Sequence, residues 1–448
     1  MVITPLVIIY IILALIVIAR PLAIIYLLAV VSPFYEYFTE LFYKIHIYSF
    51  SFTLKPFLFL TLLLILCSMK RIFSGQRKVF DDLALTHKFI FLSFSVFCLF
   101  SAFFAFIQKS QYLTEINLFL NISLIFFLPI FYWKKTIRLN YILNILTVIV
   151  FCIAAYSLFY FLLPNPVYFK MSKHPGFCTF LLLTIPFVIL NYFFAKNRMM
   201  GYFALAASLC SFVAIIFSLT RSGYVALLIT LPFFIYYLFS FSKASRDISR
   251  KIFIFTSSLF LCAVIAVSFS SRVRGAMLLS RSVLVASDNN IYKDPQTAQI
   301  KNYFLRNMYL VLAHERTIVW RKSLELVRAS PFKGHGLNYH VVPGLMGAHN
   351  NFIAVLVASG IAGFVFFIFG SMLLLVLLLK KIKSNLNWVK KSFFLAVLIS
   401  LVSLFVQGLV QTIINEYIIW FVISLSFLNQ QYLVLDNKEN LILEKEGA

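Results

Sequence analysis

Long apolar runs, separated by short polar breaks, follow one another along almost the whole chain. Most runs approach the ~20 residues that a helix needs to cross ~30 Å of hydrocarbon, and none shows the strand alternation of a membrane barrel. We therefore expect an all-α integral membrane protein, a bundle of about 12 transmembrane helices. The runs lie near residues 2–31, 54–69, 89–107, 115–133, 140–163, 174–195, 201–219, 222–241, 251–270, 352–379, 392–412 and 417–434.

The first run leaves two alternatives open. Arg20 and Pro21 divide it, and a proline inside a helix removes a hydrogen bond and kinks or ends the helix. Residues 2–31 are long for one helix and short for a hairpin of two. One span and two spans both remain compatible with the sequence.

Composition agrees with lipid as the main solvent. Of the 448 residues, 62% are hydrophobic and 12% charged, a balance outside the range of soluble domains. The net charge of +24 could suggest a nucleic-acid partner. The basic residues, however, are spread over the breaks between runs rather than gathered in one polar domain, so we expect no nucleic acid and assign the charge to membrane orientation.

Lysine and arginine cluster in every second break, which predicts the topology. Basic loops stay on the cytoplasmic side of a membrane, so the alternate loops, including the long polar stretch from about residue 271 to 350, are predicted on the outer side. The clusters are Lys70, Arg71, Arg77, Lys78 and Lys88; Lys134, Lys135 and Arg138; Lys196 and Arg198; Lys243, Arg246, Arg250 and Lys251; Lys380, Lys381, Lys383, Lys390 and Lys391.

This topology divides the chain into four parts. Residues 1–270 form the first part of the bundle, 271–350 a long, partly helical outer loop, 351–434 the last three helices, and 435–448 a cytoplasmic tail. The outer loop is itself basic, although long loops are translocated regardless of charge. Alternatively, its cations face an anionic ligand at the membrane surface, such as a lipid phosphate or pyrophosphate.

The outer loop also carries the polar residues best suited to chemistry. A helix is predicted from His314 to a stop at Pro331, with Arg316 and Trp320 one turn apart on one face. Gly334-His-Gly336 is a turn signal, and His349-Asn350-Asn351 directly precedes the next apolar run. Both ends of this stretch are therefore expected at the membrane surface.

Taken singly, Arg221 and His349 each have an ordinary explanation. Arg221 interrupts an apolar stretch where two spans meet at the outer side, and an arginine there is as well explained by a snorkelling anchor as by a ligand contact. A hydrogen-bonded interfacial histidine is the more common reading of His349 alone.

The ordered set of motifs resembles the O-antigen ligase and polymerase superfamily of lipid-linked glycan transferases. The resemblance covers about residues 165–380. It is carried by His174-Pro175-Gly176 opening a run, by Thr220-Arg221-Ser222 at a span boundary, by Arg316 followed by Trp320, Ser330-Pro331-Phe332 and Gly334-x-Gly336, and by His349-Asn350 followed by Gly360-Ile-Ala-Gly363.

The resemblance implies transfer of a glycan from undecaprenyl pyrophosphate to a hydroxyl acceptor. The reaction would take place at the periplasmic face of the bacterial inner membrane, without metal or other cofactor. By the same resemblance Arg221 and Arg316, with Arg321 as a third cation, would bind the pyrophosphate, because guanidinium groups are permanent bidentate partners of phosphate. His349 would be the general base. Asn350, Trp320 and His174 would support the site.

The family pattern leaves the acceptor open and is incomplete at one position. Val357-Ala358-Ser359 stands where the family commonly has an acidic residue before the glycine pair, so no base-orienting carboxylate is expected there. A ligase, with lipid A-core as acceptor, fits the motifs better than a polymerase that joins a second undecaprenyl-linked repeat. A lipid-linked glycan transporter or flippase is the non-enzyme alternative, disfavoured because nearly all carboxylates lie in loops.

Overall fold

The computed structural model is almost entirely helical. It describes residues 12–17, 19–37, 56–73, 84–108, 113–132, 135–162, 175–195, 197–217, 221–242, 246–269, 314–337, 340–342, 345–346, 350–384, 387–409, 417–430 and 433–434.

The structure gives the bounds of thirteen α-helices, a 3₁₀ turn and two small pairs of strands, and residues 12–17 are helical as well. The helices are α1 (Ile24–Tyr37), α2 (Pro56–Phe73), α3 (Leu85–Ile107), α4 (Leu113–Phe131), α5 (Leu139–Leu162), α6 (Pro175–Phe194), α7 (Arg198–Phe217), α8 (Arg221–Ser242), α9 (Arg246–Phe269), α10 (His314–Ala329), α11 (Asn351–Lys383), α12 (Trp388–Gly408) and α13 (Tyr417–Leu425). The strands are β1 (Ile137–Arg138), β2 (His340–Val342), β3 (Leu345–Met346) and β4 (Leu433–Val434).

Within the described residues, seven helices are long and apolar enough to cross a membrane: α3, α4, α5, α6, α7, α11 and α12. Shorter apolar helices lie at Pro21–Val30, Phe59–Lys70 and Val225–Tyr236. The expected all-α membrane bundle is thus confirmed in its class. The count of about twelve spans and the periplasmic position of the long loop stay predictions.

The first and last apolar runs of the chain do not form single continuous helices in the described residues. The first apolar run breaks at Arg20, whose φ of −137° and ψ of 77° are not helical, and a 3₁₀ turn follows from Pro21 to Ala23. The last run, expected as one span over 417–434, is helical in its described part only from Tyr417 to Leu425. A parallel pair between β1 and β4 then aligns Ile137 with Leu433.

Helix α6 lies at the centre of the bundle, since 94% of its apolar window is buried by other helices. Its polar side chains are used between helices rather than exposed. The Nδ2 atom of Asn191 donates to Oδ1 of Asn144 at 3.1 Å and to Oγ1 of Thr147 at 2.8 Å, both on α5. Such bonds hold membrane helices together because hydrocarbon offers the amide no other partner.

Helices α3 and α11 pack antiparallel, and glycines set their spacing. A methyl group added at Gly370 would lie 3.1 Å from Cβ of Ser93, and one added at Gly363 would lie 3.3 Å from Cβ of Phe100. Small residues let membrane helices approach closely. The contacts place the start of α11 beside the end of α3, at the end of the bundle that we call the rim: α3 and α12 end there, and α4 and α11 begin there.

The long helix α11 is broken near its start. At Gly360 the backbone has φ 66° and ψ −176°, which is not helical. The 33 residues of α11 would be ~50 Å long as a straight helix, far more than the ~30 Å of hydrocarbon. The break separates a half-helix, Asn351 to Ser359, from a span that runs from Ile361 to Lys383.

Helix α10 is the described helix of the long loop, and its predicted end is confirmed. It runs from His314 to Ala329 and stops before Pro331, as expected of a proline that cannot continue a helix. Its buried residues, Val319 and Ser323, are one turn apart. One face of α10 is therefore packed and the other exposed.

Candidate functional site

The segment that follows α10 docks onto the break in α11. Residues 331–337, the docked segment, form three backbone hydrogen bonds across it. The N–H of His335 donates to the carbonyl of Val357 at 2.9 Å, that of Gly336 to Ala358 at 3.0 Å, and that of Ile361 to Pro331 at 3.0 Å. A broken helix leaves carbonyl and N–H groups without helical partners. The docked segment supplies those partners, so it and the break stabilise each other.

Three glycines make this docking possible. A Cβ at Gly334 would overlap the carbonyl oxygen of Ala358 and lie 2.6 Å from the Phe104 ring. Gly336 has φ +75° and Gly360 φ +66°, in the left-handed region that glycine adopts without steric cost. The Gly334-x-Gly336 and Gly360 motifs, which are far apart in sequence, are therefore two halves of one contact.

The corner between α3 and α4 holds the other side of the docked segment. Gln108, just after α3, donates from Nε2 to the carbonyl of Gly334 at 3.1 Å and lies 2.9 Å from Nδ1 of His335. Glu115, in the first turn of α4, accepts from the N–H of Leu337 at 2.7 Å through Oε1. The docked segment is thus fixed between α11 on one side and α3 and α4 on the other.

Glu115 and His335 each keep one buried polar atom without a hydrogen-bond partner among the described residues: Oε2 of Glu115 and Nε2 of His335. Glu115 is 1% exposed, and its Oε1 also accepts from the Ser101 hydroxyl at 3.4 Å. Burial lowers the pKa of His335 below its ordinary value, and the charge of nearby Lys333 lowers it further. The imidazole is therefore neutral at physiological pH.

Asn350 fixes the start of the half-helix. It is 8% exposed, and its Oδ1 accepts from the N–H groups of Phe352 and Ile353 at 2.9 and 3.1 Å. Its Nδ2 donates to the carbonyl of Leu409, just after α12, at 2.7 Å. Asn350 is thus an N-cap residue that ties α11 to α12. Its role in the structure is to position the backbone that leads into the half-helix.

The half-helix runs along the rim from the end of α12 to the end of α3. Its first residue, Asn351, lies beside Gly408, where an added methyl group would come within 2.7 Å of the Asn351 amide. Its last residues receive the docked segment beside Phe104. The half-helix therefore connects the end of α12 with the end of α3.

Helix α10 packs against this half-helix. Trp320, Leu326 and Val327 contact the buried Val357. Arg321 is exposed, on the side of α10 that faces away from this contact. The packing brings the part of the loop that contains Arg316 and Trp320 to the same rim as the docked segment.

The backbone of Arg221 also starts at the rim. It is the first residue of α8, and two residues later an added methyl group at Gly223 would lie 3.5 Å from Sγ of Cys178, near the start of α6. Helix α6 is antiparallel to α12: Ser400 on α12 donates to the carbonyl of Leu183 at 2.7 Å, whereas the earlier residues Phe393 and Trp388 pack against the later residues Phe187 and Phe194. The starts of α6 and α8 therefore lie at the same end of the bundle as Asn350.

Several predicted site residues lie outside what the structure describes. His349 and His174 are outside the described residues, and the side chains of Arg221 and Arg316 are not described, although both backbones are. The structure thus brings the Asn350, Trp320 and Gly334-x-Gly336 motifs together and sets the backbones of the two arginines at the same end. The roles assigned to these residues stay predictions.

Sequence reasoning missed three residues of this site. Neither Glu115 nor Gln108 belongs to any of the sequence motifs, and His335 is only the middle residue of the Gly334-His-Gly336 turn signal. The available signal was that Glu115 is the lone carboxylate of a long apolar run, since a buried charge in a membrane protein generally has a specific partner.

The described residues do not include an obvious set of metal ligands. In the part of the chain that the structure describes, no three His, Cys, Asp or Glu side chains are grouped in a way that could hold a metal ion. Metal-independent chemistry stays a prediction.

Comparison with known proteins supports the resemblance seen in the motifs. Residues 206–368 match the model of the family described as O-antigen ligase. The match includes Arg221, Arg316, the docked segment, His349 and the Gly360 break, whereas His174 lies before it. No curated protein matches the chain.

Proposed function

We propose that this chain is an O-antigen ligase. The match of residues 206–368 to the O-antigen ligase family supports a ligase- or polymerase-type function in a multi-pass membrane protein. It transfers a glycan from undecaprenyl pyrophosphate to a hydroxyl of lipid A-core. The reaction takes place at the periplasmic face of the bacterial inner membrane and needs no metal ion.

The observation that carries this proposal is the meeting of separate family motifs at one end of the bundle. The Gly334-x-Gly336 segment docks on Gly360, α10 packs on Val357, and Asn350 caps the half-helix that both of them contact. A lipid-linked donor has its tail in the bilayer and its diphosphate at the surface. A rim built at the ends of the helices is the place where such a headgroup meets the protein.

The proposed reaction is a displacement at the anomeric carbon. The acceptor hydroxyl oxygen forms a bond to that carbon while the bond to the pyrophosphate oxygen breaks, and undecaprenyl pyrophosphate leaves. His349 takes the hydroxyl proton, because the pKa of imidazole is close to neutral pH. Arg221 and Arg316, with Arg321 on the exposed face of α10 as a third cation, bind the diphosphate, which gains negative charge in the transition state.

The capped half-helix supports the position of His349. Its N-terminal N–H groups begin directly after Asn350, and two of them are already bound by the Asn350 side chain. The backbone at residue 350 is therefore held both by the cap and by Leu409 of the neighbouring chain segment. A general base must be held within hydrogen-bond reach of the proton that it removes, and this double attachment favours such positioning.

The proposal is tested with the purified full-length chain, an undecaprenyl-pyrophosphate glycan and lipid A-core in nanodiscs. We expect His349→Ala to lower turnover by ~10²- to 10⁴-fold, the usual contribution of a general base. Arg221→Ala and Arg316→Ala should abolish transfer. Arg328→Ala, an exposed arginine in the last turn of α10, is the matched control and should stay close to wild type. Wild-type turnover in any of the first three variants removes that residue from the site.

Deletion of the gene identifies the acceptor. Loss of a ligase leaves long undecaprenyl-linked chains and a bare lipid A-core, whereas loss of a polymerase leaves core carrying a single repeat. The second pattern would replace the ligase proposal by a polymerase. Bare lipid A-core, with the lipid-linked glycan accumulating on the cytoplasmic leaflet, would favour a flippase.

A further inference from the structure

The imidazole of His335 is held in a single protonation pattern by Gln108. The carbonyl oxygen of Gly334 can only accept a hydrogen bond, so the Gln108 atom 3.1 Å from it must be the NH₂ group. This NH₂ group has no lone pair to accept with, and it lies 2.9 Å from Nδ1 of His335. Nδ1 must therefore be the acceptor, and in the neutral ring the proton is on Nε2.

The Nε2–H group that results has no partner. The Nε2 atom is buried and forms no hydrogen bond among the described residues. A buried donor without a partner has given up its hydrogen bonds to water and gained none in return, which destabilises the fold. The ring cannot turn over to escape this cost without breaking the Gln108 contact, and the backbone of His335 is fixed by its own bond to Val357.

The charged groups around the ring favour its neutral form. Lys333 on the docked segment lowers the pKa of His335 in addition to burial. The carboxylate of Glu115 on α4, which holds the same docked segment, is bound to the N–H of Leu337 and to Ser101. The ring therefore presents a neutral N–H donor in a fixed direction, at the break where the family motifs meet.

We propose that the Nε2–H group of His335 is a substrate-binding donor that takes an acceptor oxygen of the substrates, and that Gln108 is the positioning residue that keeps the proton on Nε2. The oxygen comes either from the lipid-linked glycan donor or from the hydroxyl acceptor, which share this chemistry. This inference rests on the proposed function. Substrate binding then removes the cost of the unpaired donor, and the pre-set tautomer needs no reorganisation.

Two isosteric variants test the donor directly. The amide of asparagine reaches about as far as Nδ1, so His335→Asn keeps an acceptor for Gln108 but has no donor at the Nε2 position. The amide of glutamine reaches about as far as Nε2, so His335→Gln restores an N–H there. We expect His335→Asn to lower kcat/KM by about 10- to 100-fold, the effect of one lost hydrogen bond of about 1.4–2.8 kcal/mol. His335→Gln should remain within a few-fold of wild type.

The KM values of the His335→Asn variant for the two substrates show which substrate supplies the acceptor oxygen. A raised KM for the lipid-linked glycan assigns the contact to the donor, and a raised KM for lipid A-core assigns it to the acceptor. Equal kcat/KM values for the asparagine and glutamine variants, whether high or low, overturn the proposal, because packing or a bound water would then explain His335. Exchange protection of the Leu337 amide, which is bound to Glu115, verifies that the docked segment is retained in both variants.

The tautomer has its own readout, independent of activity. Nitrogen-15 NMR of the histidine-labelled chain should show the Nε2–H form for His335 in wild type and a mixture of forms in Gln108→Leu. A proton on Nδ1 in the wild type overturns the assignment of Gln108. If the wild type does not transfer glycan at all, the proposed function fails and the substrate contact with it. If it transfers and the two His335 variants are alike, only the present inference fails.

Discussion

Substitution of Gly334 by alanine tests whether docking on the broken helix matters. The new Cβ would overlap the carbonyl oxygen of Ala358 and lie 2.6 Å from Cδ2 of Phe104. Because the first of these atoms belongs to the backbone, it cannot turn aside as a flexible side chain could. The docked segment must therefore move away from α11.

The magnitude follows from the bonds that depend on this position. They are the N–H groups of His335 and Gly336 to Val357 and Ala358, and Gln108 to the Gly334 carbonyl. At a net value of about 0.5–1.5 kcal/mol each, their loss amounts to about 1.5–4.5 kcal/mol. Since 1.4 kcal/mol corresponds to a factor of ten, opening of the segment should increase by about tenfold to a thousandfold.

Hydrogen exchange of the His335 and Gly336 amides in nanodiscs measures this opening, and glycan transfer measures its effect on activity. Gly201→Ala is the matched control: a methyl group there would meet its nearest neighbours at 3.6 and 3.8 Å, ordinary contact distances, and alanine is the better helix former. Unchanged protection of the two amides in Gly334→Ala would refute the docking argument. Lost protection with full activity would separate the docked segment from catalysis.

Three further predictions concern the same rim. Asn350→Ala should lower the stability of the half-helix by about 0.5–2 kcal/mol, the value of an N-cap. Asn350→Asp is the control, because it keeps the acceptor for the N–H groups of Phe352 and Ile353. Hydrogen exchange of these two amides measures the difference, and equal protection in both variants would argue against the cap. The folded-state pKa of His335 is lowered, so docking is fully stable above about pH 6.5 and weakens as pH falls below that value, because the undocked ring binds a proton more readily. Exchange of the Gly336 amide, corrected for the intrinsic rate, should show this in wild type but not in His335→Asn; a pH-independent wild type would contradict it. Glycan transfer should persist in a strong chelator, and loss of activity that a divalent ion restores would disprove metal independence.

Prolines and the ends of apolar runs predicted the helix boundaries that depend on local sequence. Pro331 ends α10 and Arg20-Pro21 breaks the first run, because proline acts on its own backbone and on its immediate neighbours. The family motifs likewise indicated that residues around Arg316, Gly334 and Asn350 belong together.

The break in α11 and the residues that stabilise it were beyond such reasoning. Gly360 lies inside an apolar run, and an isolated glycine in a helix is tolerated. Its unusual backbone is held by Pro331 and Phe332 of the docked segment. The partner of Glu115 is the N–H of Leu337, 222 positions away. A backbone N–H carries no signal in the sequence, so this contact could not be inferred from residue types.

The late position of α13 in the chain has a consequence for biosynthesis. Its residue Trp420 packs against Phe94 of α3 with ring centroids 5.4 Å apart, and Phe427 lies 4.9 Å from the ring of His87. The carbonyls of Ser426 and Leu428 accept from the ammonium group of Lys381. Helix α3 is synthesised and inserted early, so the face that contains His87 and Phe94 stays uncovered until the residues after 417 have been synthesised.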